Sequence, residues 1–543
     1  MPSATPTRPG FRIALLFYGA LNAILYAGLL PLWDGFDEPF HYGYVQYLRT
    51  HGSLPVLGHT VLSGEIIQSL DLVPASYAVQ INLRRGVTFD TYFALPKIQR
   101  IELRRKLEQV DTQTASAPSQ SPNYEAHQAP LAYALLAPFD ALWAHAPLTV
   151  RILRLRLIGA LLSMLLLWLA TFRLARLMRL PESIPLSVMF VVFSSQMLYA
   201  TICHVDNDWL AVPLWTLLLC EAVALYLQPK AGTAIRLALW LAAGLLTKAY
   251  FLCAVPLVFA LVVLCSLRRR LAWRYAAACT VLWLGVAAPW YARNLVLYGN
   301  LTGMQETAGG IPFAQLAGAA ARIPWLRAAL STARSSLWTG NNSLFTLSSK
   351  TVNLMLLLML GATCLYVVHA VRRRLPAAER PLLAGVLCFV AGLVYSTVLT
   401  SWSTHGAGIS PAPWYVQPLL APGLCLLFIG LSELEWLGSL LHLAILWLWA
   451  YVIAATYVAK LIPFYAGFTT SQARLADLPG WWGRLFNGAY GTLDTAALLP
   501  PGVLLAMTAA VVTVAVTLAA ALSVISCRSF FLPPPPFRWT LKN

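Results

Sequence analysis

"FRIALLFYGALNAILYAGLLPLW", Phe11–Trp33, runs directly into "DGFDEPFHYGY", Asp34–Tyr44. The first segment is apolar and long enough to cross a bilayer core, which takes about 20 helical residues. It is too long for a signal-peptide core and has no small-residue cleavage site before the acids, so it is expected to remain as a first transmembrane helix. The second segment packs Asp34, Asp37, Glu38 and His41 into the end of that helix.

The rest of the chain has the same character. Of 543 residues, 59% are hydrophobic and 11% charged, and the mean hydropathy is +0.66. A soluble domain of this size needs far more polar surface, so the composition predicts an all-α polytopic membrane protein. The net charge of +17 does not imply nucleic acid, because the arginines cluster between apolar runs as in cytoplasmic loops. Nine cysteines are scattered singly, several within apolar runs (Cys220, Cys253, Cys279, Cys388), with no metal-ligand or disulfide spacing.

After Phe11–Trp33 come apolar runs at 153–171, 184–202, 209–227, 235–246, 251–267, 275–291, 354–371, 383–402, 414–431, 437–458 and 503–525. Together they predict about twelve spans, the one at 235–246 being short for a crossing. If the spans alternate, Arg173/Arg176/Arg179, Arg268–Arg270, Arg372–Arg374 and Arg528 all fall on one side. The positive-inside rule makes that side cytoplasmic, with both termini in it. The opposite, outer side receives a first loop at 34–150 and further loops near 203–208, 292–353 and 460–501. Residues 1–526 then form the membrane domain, and 527–543 a Pro-rich cytoplasmic tail.

Two pieces of the first outer loop are not spans in this reading. "KIQRIELRRKLEQ" has helical spacing amid basic residues, as in a helix on the membrane surface or a solvated one. "PLAYALLAPFDALWAHAPL" is broken by Pro138 and Asp140 and reads as a juxtamembrane or re-entrant helix.

On this topology the Asp34–His41 cluster meets a second one, "HVDNDW", with His204, Asp206 and Asp208, at the outer face. Carboxylates from distant sequence on one face suit a general base or a divalent metal held by Asp37, His204, Asp206 and Asp208. A plainer reading makes each a solvated loop whose Asp caps the next helix. Lys248 and Arg293 lie on the same side, against the inside bias. They suit a phosphate, or snorkel from helix ends. Glu125 and His127 in "NYEAHQAP" add an acid, a base or a ligand.

"DEPFH", "YEAHQAPLAYALL", "NDWLAVPLW", "GLLTK" and "PWYARNLVLYGNLTG", in that order over about the first 300 residues, resemble the GT-C superfamily. Its members are polytopic glycosyltransferases that use polyprenyl-phosphate sugars, and the likeness is to the bacterial branch related to protein O-mannosyltransferases and lipid A aminoarabinose transferases. The resemblance implies a helix bundle with juxtamembrane helices in the first outer loop of an inner-membrane protein. It implies transfer of a hexose or pentose to a lipid, glycan or protein acceptor at the outer (periplasmic) face, with inversion. Asp37 then corresponds to the catalytic base, with Glu38 and Asp208 in the catalytic set. Lys248 and Arg293 match donor-phosphate positions, and His41, Glu125, His127, His204 and Asp206 support or meet the acceptor. Some relatives hold a divalent metal there. This sequence departs from the pattern at Ala129, where a proline is usual, and at Trp414 in "APWYVQPLL", where an arginine is usual. A transporter without chemistry, or a polymerase or ligase of lipid-linked glycans, would share the composition. The absence of an internal repeat and the gathering of charge on one face favour a transferase.

Overall fold

The computed structural model describes residues 9–75, 83, 86–110, 118–304, 311–341, 346–468 and 478–531. Among them, ten helices are long and apolar enough to cross a membrane, from Gly10–Leu29 to Pro501–Ser526. A further pair, Ser183–Phe193 and Gln196–Ile202, is bent by 64° at Ser194–Ser195 and forms a broken span or a re-entrant loop. The chain is therefore a multi-pass, all-α membrane protein. The remaining predicted span is the helix Ala231–Leu245, which at 15 residues is shorter than a full crossing. About twelve expected spans thus become ten long helices, one broken pair and one short helix.

Burial follows the hydrophobic pattern. Asp208–Leu227 is apolar all round and therefore central: 83% of its apolar window is buried, against 28% for Glu379–Ser403, which leaves most of that helix facing lipid. The central helix packs against Leu148–Met178, Ala231–Leu245 and Glu379–Ser403. Cys203, Cys220, Cys265, Cys279 and Cys425 are buried free thiols within this packing.

The first long loop is built from short helices. Glu38–His51 starts with Pro39 in its first turn and ends at Gly52, whose left-handed backbone lets its N–H reach the Leu48 carbonyl at 3.0 Å. The basic stretch forms the helix Lys97–Glu108. It lies against the chain near residue 495: Arg104 donates to the Ala497 carbonyl at 3.0 Å, and Arg100 to that of Gly491 at 3.1 Å. The Pro-broken apolar stretch forms Leu131–Leu142, only 12 residues long. Two small strand pairs, Val61–Ser63 with Pro118–Pro122 and Pro74–Ala75 with Val87–Thr88, complete the loop. At the far end, the last helix continues through Phe531. Most of the expected tail, residues 532–543, lies outside the described ones.

Candidate active site

Asp37 stands just before the Glu38–His51 helix with φ 55° and ψ 18°, the left-handed region. A non-glycine residue adopts it rarely, Asp more readily than most. The turn leaves Asp37 half-buried while Asp34, Gly35, Phe36 and Glu38 on either side are buried. Its Oδ1 accepts the Tyr124 hydroxyl. Tyr124 is held by Phe40, with ring centroids 4.0 Å apart. Burial pushes the Asp37 carboxyl above its ordinary range, while the Tyr124 hydrogen bond and the Lys248 charge pull it back.

The second cluster closes onto the first because Gly35 allows it: a Cβ there would lie 2.3 Å from the Cβ of His204. Asp206, one residue before the N-cap Asn207, accepts the Trp209 N–H on its Oδ1 at 3.2 Å, and its Oδ2 lies 3.4 Å from His204 Nε2. Burial, and then the Asp208 charge, raise the Asp206 carboxyl. Burial pushes His204 down to about 4. Asp208, on the first turn of the central helix, pairs with Lys248 at 2.5 Å, both side chains nearly buried. Lys248 lies 5.2 Å from the Tyr415 ring centroid and 5.7 Å from that of Tyr250.

Lys248 also lines a cavity of ≈400 Å³. The wall is mainly apolar, with Leu252, Phe389, Leu393 and Leu399, and polar groups such as Gln128 and Thr302 add to it. A single ammonium at an apolar cavity, within electrostatic reach of the partly buried Asp37 carboxylate, can receive an anionic head whose tail stays in an apolar setting.

The expected metal set does not assemble. No three His, Cys, Asp or Glu side chains converge as a cation site among the described residues. The Lys248 ammonium sits on Asp208, where a divalent ion would have to bind.

No protein-family model and no curated protein matches this sequence. Among solved structures, the chain is similar to ArnT from Cupriavidus metallidurans bound to undecaprenyl phosphate, with TM-score 0.48 and 12% identity over 96% of this chain and 78% of that one. It is also similar to the oligosaccharyltransferase AglB from Archaeoglobus fulgidus in complex with an inhibitory peptide and a dolichol-phosphate, with TM-score 0.41 and 12% identity. That match covers 98% of this chain but only 57% of AglB. At these scores the reading of the site rests on its own geometry.

Several expected site residues serve elsewhere. Glu38, expected in the catalytic set, is fully buried against Arg156, with Arg156 Nε to Glu38 Oε1 at 2.7 Å, and also accepts the Val205 N–H at 3.0 Å. Burial alone would raise its carboxyl, but Arg156 more than offsets that and holds it below the ordinary range. Both oxygens are engaged, so Glu38 braces the loop beside Asp37. His41 Nδ1 lies 2.8 Å from the Tyr133 hydroxyl, and Asp34 accepts from Tyr465. His127 Nδ1 is 2.7 Å from the Tyr124 carbonyl, in the turn Tyr124–His127 that contains Glu125. Arg293 stacks on Trp290 and donates to the Pro55 carbonyl at 2.7 Å.

The sequence reading missed Tyr124 as the partner of Asp37, and Arg151 and Arg156 as buried cations. Arg151 braces the first loop by pairing with Glu65 and donating to the Tyr42 hydroxyl at 2.5 Å. A signal for the arginines was present in "RILRLRL", because charge inside an apolar run is costly and needs a partner. Trp414, where an arginine was expected, packs on Phe36 with ring centroids 4.4 Å apart.

Proposed function

We propose that the chain is a GT-C-type glycosyltransferase that moves a sugar from a polyprenyl phosphate to an acceptor hydroxyl. The observation that carries this reading is the partly buried Asp37 carboxylate within electrostatic reach of Lys248, itself on the wall of the apolar cavity. In the proposed step Asp37 takes the proton of the acceptor hydroxyl as its oxygen attacks sugar C1. The C1–O bond to the phosphate breaks, its electron pair leaves with the polyprenyl phosphate, and the anomeric centre inverts. Lys248, oriented by Asp208, would stabilise the charge growing on that phosphate. A base whose pKa is lifted towards the working pH suits this role. Arg293 is proposed as a more distant contact for the donor phosphate.

The positive-inside rule puts the arginine clusters in the cytoplasm and this site on the opposite, periplasmic face of a bacterial inner membrane. The first test compares glycolipids and glycoproteins by mass spectrometry in cells with and without the gene, and with Asp37→Asn. Loss of a general base costs about 10²–10⁴-fold, so one glycoconjugate should vanish in both strains. Full transfer by a normally folded Asp37→Asn variant would remove Asp37 from the role.

A further inference from the structure

A second cleft lies apart from Lys248. Residues 311–353 contain Arg322, Arg327, Arg334 and Lys350 and no acidic residue. Within them the helix Trp325–Leu337 lines a cleft of ≈940 Å³, whose other wall includes Ser349 and Val352 from the start of the helix Ser349–Arg372. Arg327, Ser331 and Arg334 fall at i, i+4 and i+7, on one helix face, and Leu326 and Leu330 make an adjacent apolar stripe. Leu326 is 76% exposed, and neither arginine forms an ion pair among the described residues. An exposed leucine stripe beside unpaired arginines, on a helix at the end of a membrane span, matches the surface that binds anionic lipid.

Two contacts link this helix to the candidate active site. Gln417 donates to the Ser336 carbonyl at 3.1 Å, which ties this helix to the turn Pro413–Leu419. Trp414 of that turn packs on Phe36, the residue before Asp37. We infer that the cleft between Trp325–Leu337 and the start of Ser349–Arg372 docks a membrane lipid with a phosphate-bearing head. The phosphate sits on Arg327 and Arg334, and the acyl chains lie along Leu326 and Leu330.

The test is native mass spectrometry of the full-length protein in detergent, titrated with dioleoyl phosphatidic acid, with phosphatidylcholine of the same chains, and with inorganic phosphate. Two charge-assisted contacts imply about tenfold tighter retention of phosphatidic acid than of phosphatidylcholine. The double variant Arg327→Gln/Arg334→Gln should lose that preference, and Arg327→Lys/Arg334→Lys should keep most of it. Equal retention of the two lipids, an unchanged preference in the Gln variant, or displacement of phosphatidic acid by inorganic phosphate would each overturn the lipid site. Asp37→Asn should bind phosphatidic acid as the parent does. A lipid preference that survives alongside full transfer by Asp37→Asn would remove Asp37 from the base role and leave the cleft standing.

Discussion

At the scale of single residues, two consecutive side chains do different things because of one backbone turn. The left-handed conformation at Asp37 turns its carboxylate towards Tyr124 while Glu38, one residue on, enters the buried pair with Arg156. The Tyr124 hydroxyl favours the charged form of Asp37, so its removal raises the Asp37 pKa further. A base works only when deprotonated, so activity rises as pH rises through that pKa. In Tyr124→Phe the acidic limb of the kcat/KM profile should therefore move to higher pH, with the alkaline limb unchanged. An unmoved limb would detach Tyr124 from the base. The sequence made the acid cluster legible, because three carboxylates at the end of an apolar run stand out. It could not rank Asp37 against Glu38, since that depends on Tyr124 and Arg156, far away along the chain.

At the scale of elements, the position of Lys248 is set by a helix end. The helix Ala231–Leu245 closes with the N–H groups of Thr247 and Lys248 both reaching the Gly244 carbonyl at 2.9 Å. A Cβ on Gly244 would lie 2.1 Å from the Phe251 ring, which packs on Trp215 of the central helix with centroids 5.4 Å apart. Gly244→Ala should force that turn outward and draw Lys248 off Asp208. Overpacking of this kind costs about 1–3 kcal/mol. The expected result is a lower thermal midpoint together with a transfer rate reduced by more than the loss of folded protein explains; a stable, fully active variant would refute the coupling. The spans themselves were legible from run length. The break at Ser194–Ser195 was not, because "FVVFSSQMLYA" stays apolar enough to read as one helix, and the bend comes from hydrogen bonds that other helices supply.

For the whole molecule, the decisive quantity is which end faces which compartment. The arginine clusters and the Asp37 end lie at opposite ends of the spans if these alternate, and charge bias assigns the former to the cytoplasm. With native cysteines replaced, Ser53→Cys in the first loop should react in intact cells with an outer-membrane-permeant but inner-membrane-impermeant maleimide, and Arg270→Cys only after lysis. The reverse pattern would place the proposed chemistry in the cytoplasm.

The bent pair Ser183–Phe193 and Gln196–Ile202 bears on how the chain is made. Around its bend, the Tyr18 hydroxyl meets Ser194 at 2.9 Å, Asn22 donates to the Phe193 carbonyl at 3.1 Å, and Trp449 donates to Ser195 at 3.0 Å. Tyr18 and Asn22 emerge from the ribosome before the bend, but Trp449 comes 254 residues after Ser195. At about 5–20 residues per second, the break waits on the order of ten to fifty seconds for its last partner. During that interval the Ser195 hydroxyl keeps its bond to the Val191 carbonyl but lacks the Trp449 donor, so the half-made bend is expected to be open to membrane-insertion chaperones. Nascent chains arrested before Trp449 should crosslink to such factors through residues 183–202, and chains arrested well beyond it should not. Equal crosslinking at both lengths would mean that the bend completes itself without its distant tryptophan.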